Sequence, residues 1–225
     1  MSTVAPGLTA RRWRTRRSAA VGGIVFAVLL IIALVILRLA LVDASLDEIV
    51  ANPHQQSLIR LGLSMVPFAG IAFLWFIGVI RDQLGDVEDR LFSTVFLGSG
   101  LLFLAMLFMS AVTAVALMTM VPGKNLDAGL WEFGRHTTEA LVSTYAMRMA
   151  AVFTLTVSTV ALRTRAVPRW LAFLGYAVAL VLLVAAGAHR WVQLAFPAWV
   201  LVLSIAILVT RPAAGAPVSE SEPRG

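Results

Sequence analysis

Residues Ala20–Val42 read AVGGIVFAVLLIIALVILRLALV, and this stretch decides the class of fold. A helix needs about 20 apolar residues to cross the hydrocarbon of a bilayer. This stretch exceeds that length and holds a single charge, Arg38. The apolar region of a cleaved signal peptide is only about 7–15 residues long. The stretch therefore predicts a first transmembrane span that stays in the membrane as a signal anchor.

Further apolar stretches follow, each closed by arginine or by a turn. Together they predict an all-α fold, a polytopic membrane helix bundle with about six transmembrane helices over residues 20–210. A basic segment, 1–19, precedes the bundle. The tail, 211–225, has too little apolar content to fold and is predicted to be disordered. The remaining spans are predicted at 58–80, 91–121, 136–162, 169–187 and 191–210.

Composition excludes several classes of protein. The chain is 60% hydrophobic and 13% charged, whereas a soluble domain carries about 25% charged residues. There is no cysteine, which excludes disulfides, thiol nucleophiles and thiolate metal ligands. The basic residues concentrate at the predicted membrane edges, so we expect a lipid bilayer and no nucleic acid as the partner.

The distribution of basic residues predicts an orientation. Of the 18 lysines and arginines, 12 fall on the side of the N-terminus and 4 on the opposite side. The positive-inside rule then places both termini in the cytoplasm of a bacterial plasma membrane. The cluster at residues 11–17 is a topology signal that can also contact anionic lipid headgroups. The loop 124–135 is predicted outside, with Trp131 at the interface.

Arg148 is the most informative single residue, because it falls near the middle of the fourth predicted span. A charge there costs at least about 2.5–3.5 kcal/mol and marks a functional candidate. Thr144 and Tyr145 lie one turn earlier on the same helix, and Gln193 lies at the start of the last span. Three interpretations stay open: a structural arginine, an arginine that contacts an anion or substrate in a cavity, and contact with a partner subunit.

The opposite face of that helix has small residues at four-residue spacing, which predicts close packing against another helix. Pro67 and Pro197 fall inside the second and sixth predicted spans, where proline kinks a helix and frees a carbonyl. With Arg148 they are predicted to border an outward-facing cavity. The small or polar residues of that opposite face are Glu139, Ser143, Ala146, Ala150, Thr154 and Ser158.

The three histidines, His54, His136 and His189, all fall on the predicted outer side. His136 and Glu139 are three residues apart at the predicted start of a helix, a spacing that suits a shared metal such as zinc or iron. The alternative is that loop histidines carry no ligand and that Glu139 interacts with the helix dipole. We predict no metal, no cofactor and no catalytic set, and keep these four residues as metal candidates.

Two stretches, FIGVIRDQLGDVEDRLFSTVFLGSGLLFLAM at 76–106 and LRTRAVPRWLAFLGY at 162–176, carry a resemblance. The chain resembles uncharacterised bacterial multi-pass membrane proteins assigned to a domain of unknown function. The resemblance implies about six helices and transfers no catalytic residue. The expected function is a structural, accessory or sensory membrane subunit, in a homo-oligomer or with a partner. The alternatives are a transporter with Arg148 near its pathway and, less favoured, a membrane enzyme or metal-binding protein using the outer histidines.

Overall fold

The computed structural model describes residues 7–84, 90–121, 127–164, 167–189 and 191–209, and it describes side chains over 20–81, 93–121, 127–163, 167–189 and 191–209. Every regular element in these ranges is helical and none is a strand, which confirms the all-α prediction. The predicted tail, 211–225, lies outside the described residues. The elements are α1 (Gly7–Leu37), π1 (Arg38–Val42), α2 (Leu46–Ala51), α3 (Pro53–Leu84), α4 (Arg90–Met120), α5 (Ala128–Ala140), π2 (Leu141–Ala146), α6 (Met147–Thr164), α7 (Arg169–Ala185), a 3₁₀ turn (Val192–Leu194) and α8 (Ala195–Val209).

Five helical stretches are long and apolar enough to cross a membrane, and α7 is a shorter apolar helix. The first stretch has the predicted bounds, Ala20–Val42. We call the membrane edge at which π1 ends the distal edge and the opposite edge the proximal edge. The distal edge is the one predicted to face outward.

The fourth span is where the sequence prediction was wrong. It runs Ala128–Arg163, so the residues predicted as a loop are helical from Ala128 onward. The helix begins there because the Asp127 side chain accepts hydrogen bonds from the backbone N–H groups of Gly129 and Leu130. Trp131 is consequently only 1% exposed and is not an interfacial residue.

The predicted loop 43–57 also holds a helix, α2. Ser45 and Glu48 form a reciprocal capping box at its start, which satisfies two backbone N–H groups that a short helix would otherwise leave free. Ile49 of α2 is fully buried. It joins Trp131, Leu41 and Leu117 in a distal apolar cluster that covers the end of the bundle.

The spans surround one core in sequence order. Each of α1, α3, α4, α6, α7 and α8 packs against the next, and α8 packs against α1 to close the bundle. Seven phenylalanines fill the centre, and the shortest ring-centroid separations are 4.5–5.3 Å. We call this group the phenylalanine floor: Phe26, Phe73, Phe76, Phe96, Phe103, Phe153 and Phe196.

The last two helices are short. α7 has 17 residues and α8 has 15, so each is shorter than the roughly 30 Å hydrocarbon layer at about 1.5 Å per residue. Phe196, the second residue of α8, already lies in the phenylalanine floor, 4.9 Å from Phe103. The chain between α7 and α8 therefore turns well below the distal edge.

Candidate intramembrane polar site

An ion pair joins the first and fourth spans inside the bundle. The Arg38 guanidinium Nη1 donates to Glu139 Oε1 at 2.7 Å, and Arg38 is only 8% exposed. Asp43 approaches Arg38 Nε at 3.6 Å from the end of the same span. A cation so deeply buried needs anionic partners, because an unpaired one would carry its full desolvation cost. Arg38 therefore has an acidic partner in the structure, whereas the sequence indicated none for Arg148.

Two π-helical segments flank this pair. Arg38 opens π1, and π2 begins two residues after Glu139. A π-turn holds one residue more than an α-turn, and such turns occur frequently at functional sites. The turn also shifts every later side chain around the helix axis. The sequence argument assumed a regular α-helix from Glu139 to Arg148, so its assignment of the two to opposite faces does not carry over.

The carbonyl end of π1 is satisfied by neighbouring helices. Val42 O accepts from Arg135 Nη1 at 2.6 Å, and Ala40 O accepts from Gln55 Nε2 at 3.0 Å. The last carbonyls of a helix have no partner within it. Side chains from α5 and α3 therefore fix where the first span ends.

The predicted metal candidates occupy separate places. Glu139 faces Arg38, whereas His136 Nε2 lies 3.3 Å from Glu132. Glu139 lies near the C-terminal end of α5, so the dipole explanation from a first helical turn was wrong. His54, His136 and His189 are exposed. Within the described ranges, no three His, Asp or Glu residues stand close enough to hold a metal ion.

Arg148 is half-buried and has no hydrogen bond or ion pair with any residue that the structure describes. Thr144 packs against the α7–α8 turn: a Cβ added to Gly187, whose φ is +83°, would lie 2.9 Å from Thr144 Oγ1. Tyr145 is 58% exposed, and Gln193 is buried at 7%. Among the described residues, no hydrogen bond or ion pair joins the four predicted polar-site residues to one another, although π2 and the 3₁₀ turn lie against each other.

The depth of that turn follows from the helix rise. Glu139 lies level with Arg38, which is about 6 Å before the end of π1, and Thr144 lies about 7 Å deeper. Gly187 stands level with Thr144, so the turn lies about 13 Å below the distal end of the first span. Gly187, Ala188 and His189 are nevertheless exposed. We call the space above them the distal depression.

Non-helical backbone at membrane depth is tolerated only where protein buries it or where it lines a water-filled space. Because Gly187, Ala188 and His189 are exposed, we expect the distal depression to face water rather than lipid tails. Arg148 lies about 6 Å below Thr144, and side chains lean toward the N-terminus of their helix, which here is the distal side. Phe153 lies about one and a half turns below Arg148 and belongs to the phenylalanine floor.

The small-residue face of the fourth span packs as predicted. Ala146, Ala150, Thr154 and Ser158 are fully buried. The Oγ of Ser158 lies so close to Gly175 that a Cβ there would overlap it, which explains the glycine on α7.

The two prolines occupy different positions in their helices. Pro67 lies within α3 and faces outward. Pro197 is the third residue of α8, where a missing backbone N–H costs the helix little. Pro197 therefore lies inside the last span, Val192–Val209, as predicted, but at the start of its α-helix.

The fold and the site define a polytopic helical membrane protein with a buried ion pair on its distal side. Comparisons with protein-family models, with curated proteins and with solved structures find no match to this chain. The resemblance to bacterial multi-pass proteins thus stays an expectation.

The sequence argument missed Arg38 as a site residue, although one signal was available. Arg38 is the only charge in the first span, and the cost argument that singled out Arg148 applies to it equally. Its partner was not recognised, because Glu139 had been assigned to the first turn of the fourth span and explained by the helix dipole.

Proposed function

We propose that this protein is a non-enzymatic sensory or accessory subunit of the plasma membrane that binds a small anion in the distal depression at Arg148. One observation carries the proposal: Arg148 has no hydrogen-bond or ion-pair partner among the described residues, and Thr144, one turn before it, contacts the exposed α7–α8 turn. A cation in such a place favours an anionic ligand, because the ligand supplies the charge that the protein does not.

The phenylalanine floor favours a site that binds a ligand from the distal side over a pathway that crosses the membrane. Phe73 contacts Phe26, Phe103 and Phe153 with centroids 4.5–5.3 Å apart, so rings from four helices meet at one level. Carriers of small solutes place binding at the bilayer midplane between halves that rock against each other. Here aromatic rings fill the centre of the bundle, and Arg38, Glu139 and Arg148 lie on the distal side of those rings.

A carrier is the second candidate, and Arg148 is again the reason. If the phenylalanine floor rearranged, the same arginine would stand beside the path of an anionic substrate. The two functions differ in one measurable result. A sensory or accessory subunit binds without moving the ligand across the membrane.

The first test measures water access, and the absence of native cysteine makes it direct. Ala188→Cys is expected to react with a membrane-impermeant maleimide in intact cells. Ala198→Cys is the matched control, because Ala198 is also exposed but lies on the outward face of α8, which we expect to contact lipid. Equal labelling of both variants, or of neither, would contradict the water-filled depression.

The second test measures binding and transport. Thermal unfolding of the purified full chain is followed with inorganic phosphate, sulfate and citrate, and proteoliposomes are loaded with the same anions. We expect at least one anion to raise the Tm of the wild type but not of Arg148→Leu, with no flux. Flux that Arg148→Leu abolishes would establish the carrier instead. Identical Tm responses of both proteins would remove Arg148 from the site.

We also propose that both termini are cytoplasmic and that the arginine cluster at 11–17 contacts anionic headgroups, on the strength of the basic-residue asymmetry. A periplasm-specific reporter fused after Gly225 is expected to be inactive. An active reporter would reverse the orientation and would move the distal depression to the cytoplasmic side.

A further inference from the structure

A second basic position lies at the membrane boundary, away from the ion pair and from Arg148. A groove of about 560 Å³ runs between the first part of α3 and the end of α4. We call it the Arg60 groove. It is lined by Arg60, Leu63, Ser64, Val115, Met118 and Thr119.

The groove has one charged group, and that group has no anionic partner within the described part of the chain. Arg60 is exposed and makes no hydrogen bond or ion pair there. The two hydroxyl groups donate to carbonyls of their own helices, Ser64 to Leu61 at 2.7 Å and Thr119 to Ala116 at 2.6 Å. The guanidinium is therefore the principal donor that the groove presents to an occupant.

The level of Arg60 fits the boundary between headgroups and hydrocarbon. α3 has 32 residues, which makes it about 48 Å long, so it extends beyond a hydrocarbon layer of about 30 Å. Arg60 lies about 10 Å along α3 from its distal start. Leu63 lies about 4 Å deeper than Arg60 along α3. Gly70 of α3 lies against Phe108 of α4, so the antiparallel register puts Val115 near the level of Arg60. The cation thus stands at the distal end of a mainly apolar groove.

We propose that the Arg60 groove is a binding site for an anionic phospholipid, whose phosphate pairs with Arg60 while an acyl chain follows Leu63, Val115 and Met118. A planar guanidinium binds phosphate oxygens through two parallel hydrogen bonds. The groove opens to the bilayer, so the molecule that meets it carries both a phosphate and a long apolar chain. We expect a headgroup with a net negative charge to be preferred. A zwitterionic headgroup carries its own cation, which would compete with Arg60 for the phosphate.

A second groove on the same molecule serves as an internal comparison. It has a volume of about 690 Å³ and is lined by apolar side chains and glycine, including Val21, Leu29, Phe68 and Trp75. It lacks a charged group, so we expect it to accept acyl chains without regard to the headgroup. Of these two grooves, only the Arg60 groove should distinguish one headgroup from another.

The experiment uses native mass spectrometry of the delipidated full chain, titrated with phosphatidylglycerol and with phosphatidylcholine of the same acyl chains. We expect one phosphatidylglycerol per chain to bind the wild type in preference to phosphatidylcholine. Arg60→Gln should weaken that first binding step about tenfold. Arg81→Gln is the matched control, because Arg81 is an exposed arginine near the proximal end of the same helix.

A third variant tests the apolar part of the site. Val115→Phe keeps Arg60 but fills the groove, and it should weaken phosphatidylglycerol binding as well. It also keeps the proposal testable if Arg60→Gln fails to fold. Equal affinities for the two lipids in the wild type, equal losses in Arg60→Gln and Arg81→Gln, or displacement of the lipid by inorganic phosphate at millimolar concentration would each overturn the proposal.

Discussion

The two halves of the bundle are built on different physical principles. The proximal half and the centre are held by aromatic packing, with Phe73 in ring contact with residues of α1, α4, α6 and α8. The distal half has its own apolar cluster and adds an ion pair, side chains bound to helix-end carbonyls and two π-turns. Aromatic rings distinguish the first half, and charges with hydrogen bonds to helix ends distinguish the second.

From this difference we infer that the aromatic half contributes mainly to stability and the distal half mainly to function. In a bilayer the lipid tails are as apolar as the core, so packing and hydrogen bonds, rather than exclusion of water, hold helices together. Rings that interdigitate serve that purpose and leave little room for movement. Polar groups that have partners on other helices can exchange them. The distal half is therefore the part of the molecule suited to respond to a ligand.

The largest effect is expected when the ion pair is broken on one side. Arg38→Met should lower the free energy of unfolding by about 3 kcal/mol, because Glu139 would keep its charge without its partner. The double variant Arg38→Met/Glu139→Leu should recover most of that loss. Equilibrium unfolding in mixed micelles gives all the required values. Strictly additive losses would show that the two side chains are not coupled.

The next effect tests the aromatic half. Phe73→Ala should lower the free energy of unfolding by about 2 kcal/mol. The loss is smaller than in a soluble core, because the substitution leaves a cavity but the side chain gains little from burial when the surrounding solvent is lipid. Trp75→Ala is the control, since Trp75 is 64% exposed and makes no contact with the phenylalanine floor. The same micelle assay applies. A loss in Trp75→Ala as large as that in Phe73→Ala would mean that ring packing is not what holds this half.

A smaller effect is expected from overfilling the same region. Gly23→Ala places a methyl group 2.9 Å from the Phe76 ring and against Ser204 Oγ, and should cost about 1 kcal/mol. Gly78→Ala meets nothing within 4 Å and should stabilise the helix slightly. We expect thermal unfolding to show a lower Tm for Gly23→Ala and a higher Tm for Gly78→Ala. The same sign would show that the proximal half tolerates added volume.

The smallest effect concerns a single hydrogen bond near the proximal edge. Tyr176→Phe removes the bond between the Tyr176 hydroxyl and Thr159 Oγ1, which are 2.9 Å apart. Hydrogen bonds between membrane helices contribute about 0.6 kcal/mol on average. Thr159→Val in the Tyr176→Phe background should then have almost no further effect. A loss near that of Arg38→Met would place a polar network in the half assigned to packing.

Some features could be predicted because they depend on continuous composition. The first span has its predicted bounds, since no polar residue interrupts the run Ala20–Val42 except Arg38. The fourth span was predicted to begin too late, because Glu132 and Arg135 were interpreted as loop residues. In the structure they lie on a helix that extends beyond the hydrocarbon, and one aspartate cap decides where it starts.

The site could be predicted only in part. The cost of an intramembrane charge identifies Arg148, and it identifies Arg38 by the same argument. A π-turn has no signature in composition, so neither segment was visible. The depth of the α7–α8 turn depends on Phe196 packing against rings from other helices, and no local pattern encodes that contact. Pairing of residues 101 positions apart is likewise a property of the assembled bundle.

That separation along the chain has a consequence for biogenesis. Arg38 enters the membrane while Glu139 is still unmade, and synthesis at about 5–20 residues per second leaves an interval of roughly 5–20 seconds. During that time the arginine is solvated by the distal headgroups, which the last turn of the span can reach. When the fourth span inserts, the Glu139 carboxylate replaces the lipid headgroups as the partner of Arg38. The ion pair therefore acts as a late checkpoint, because it forms only after more than half of the chain has been inserted in the correct direction.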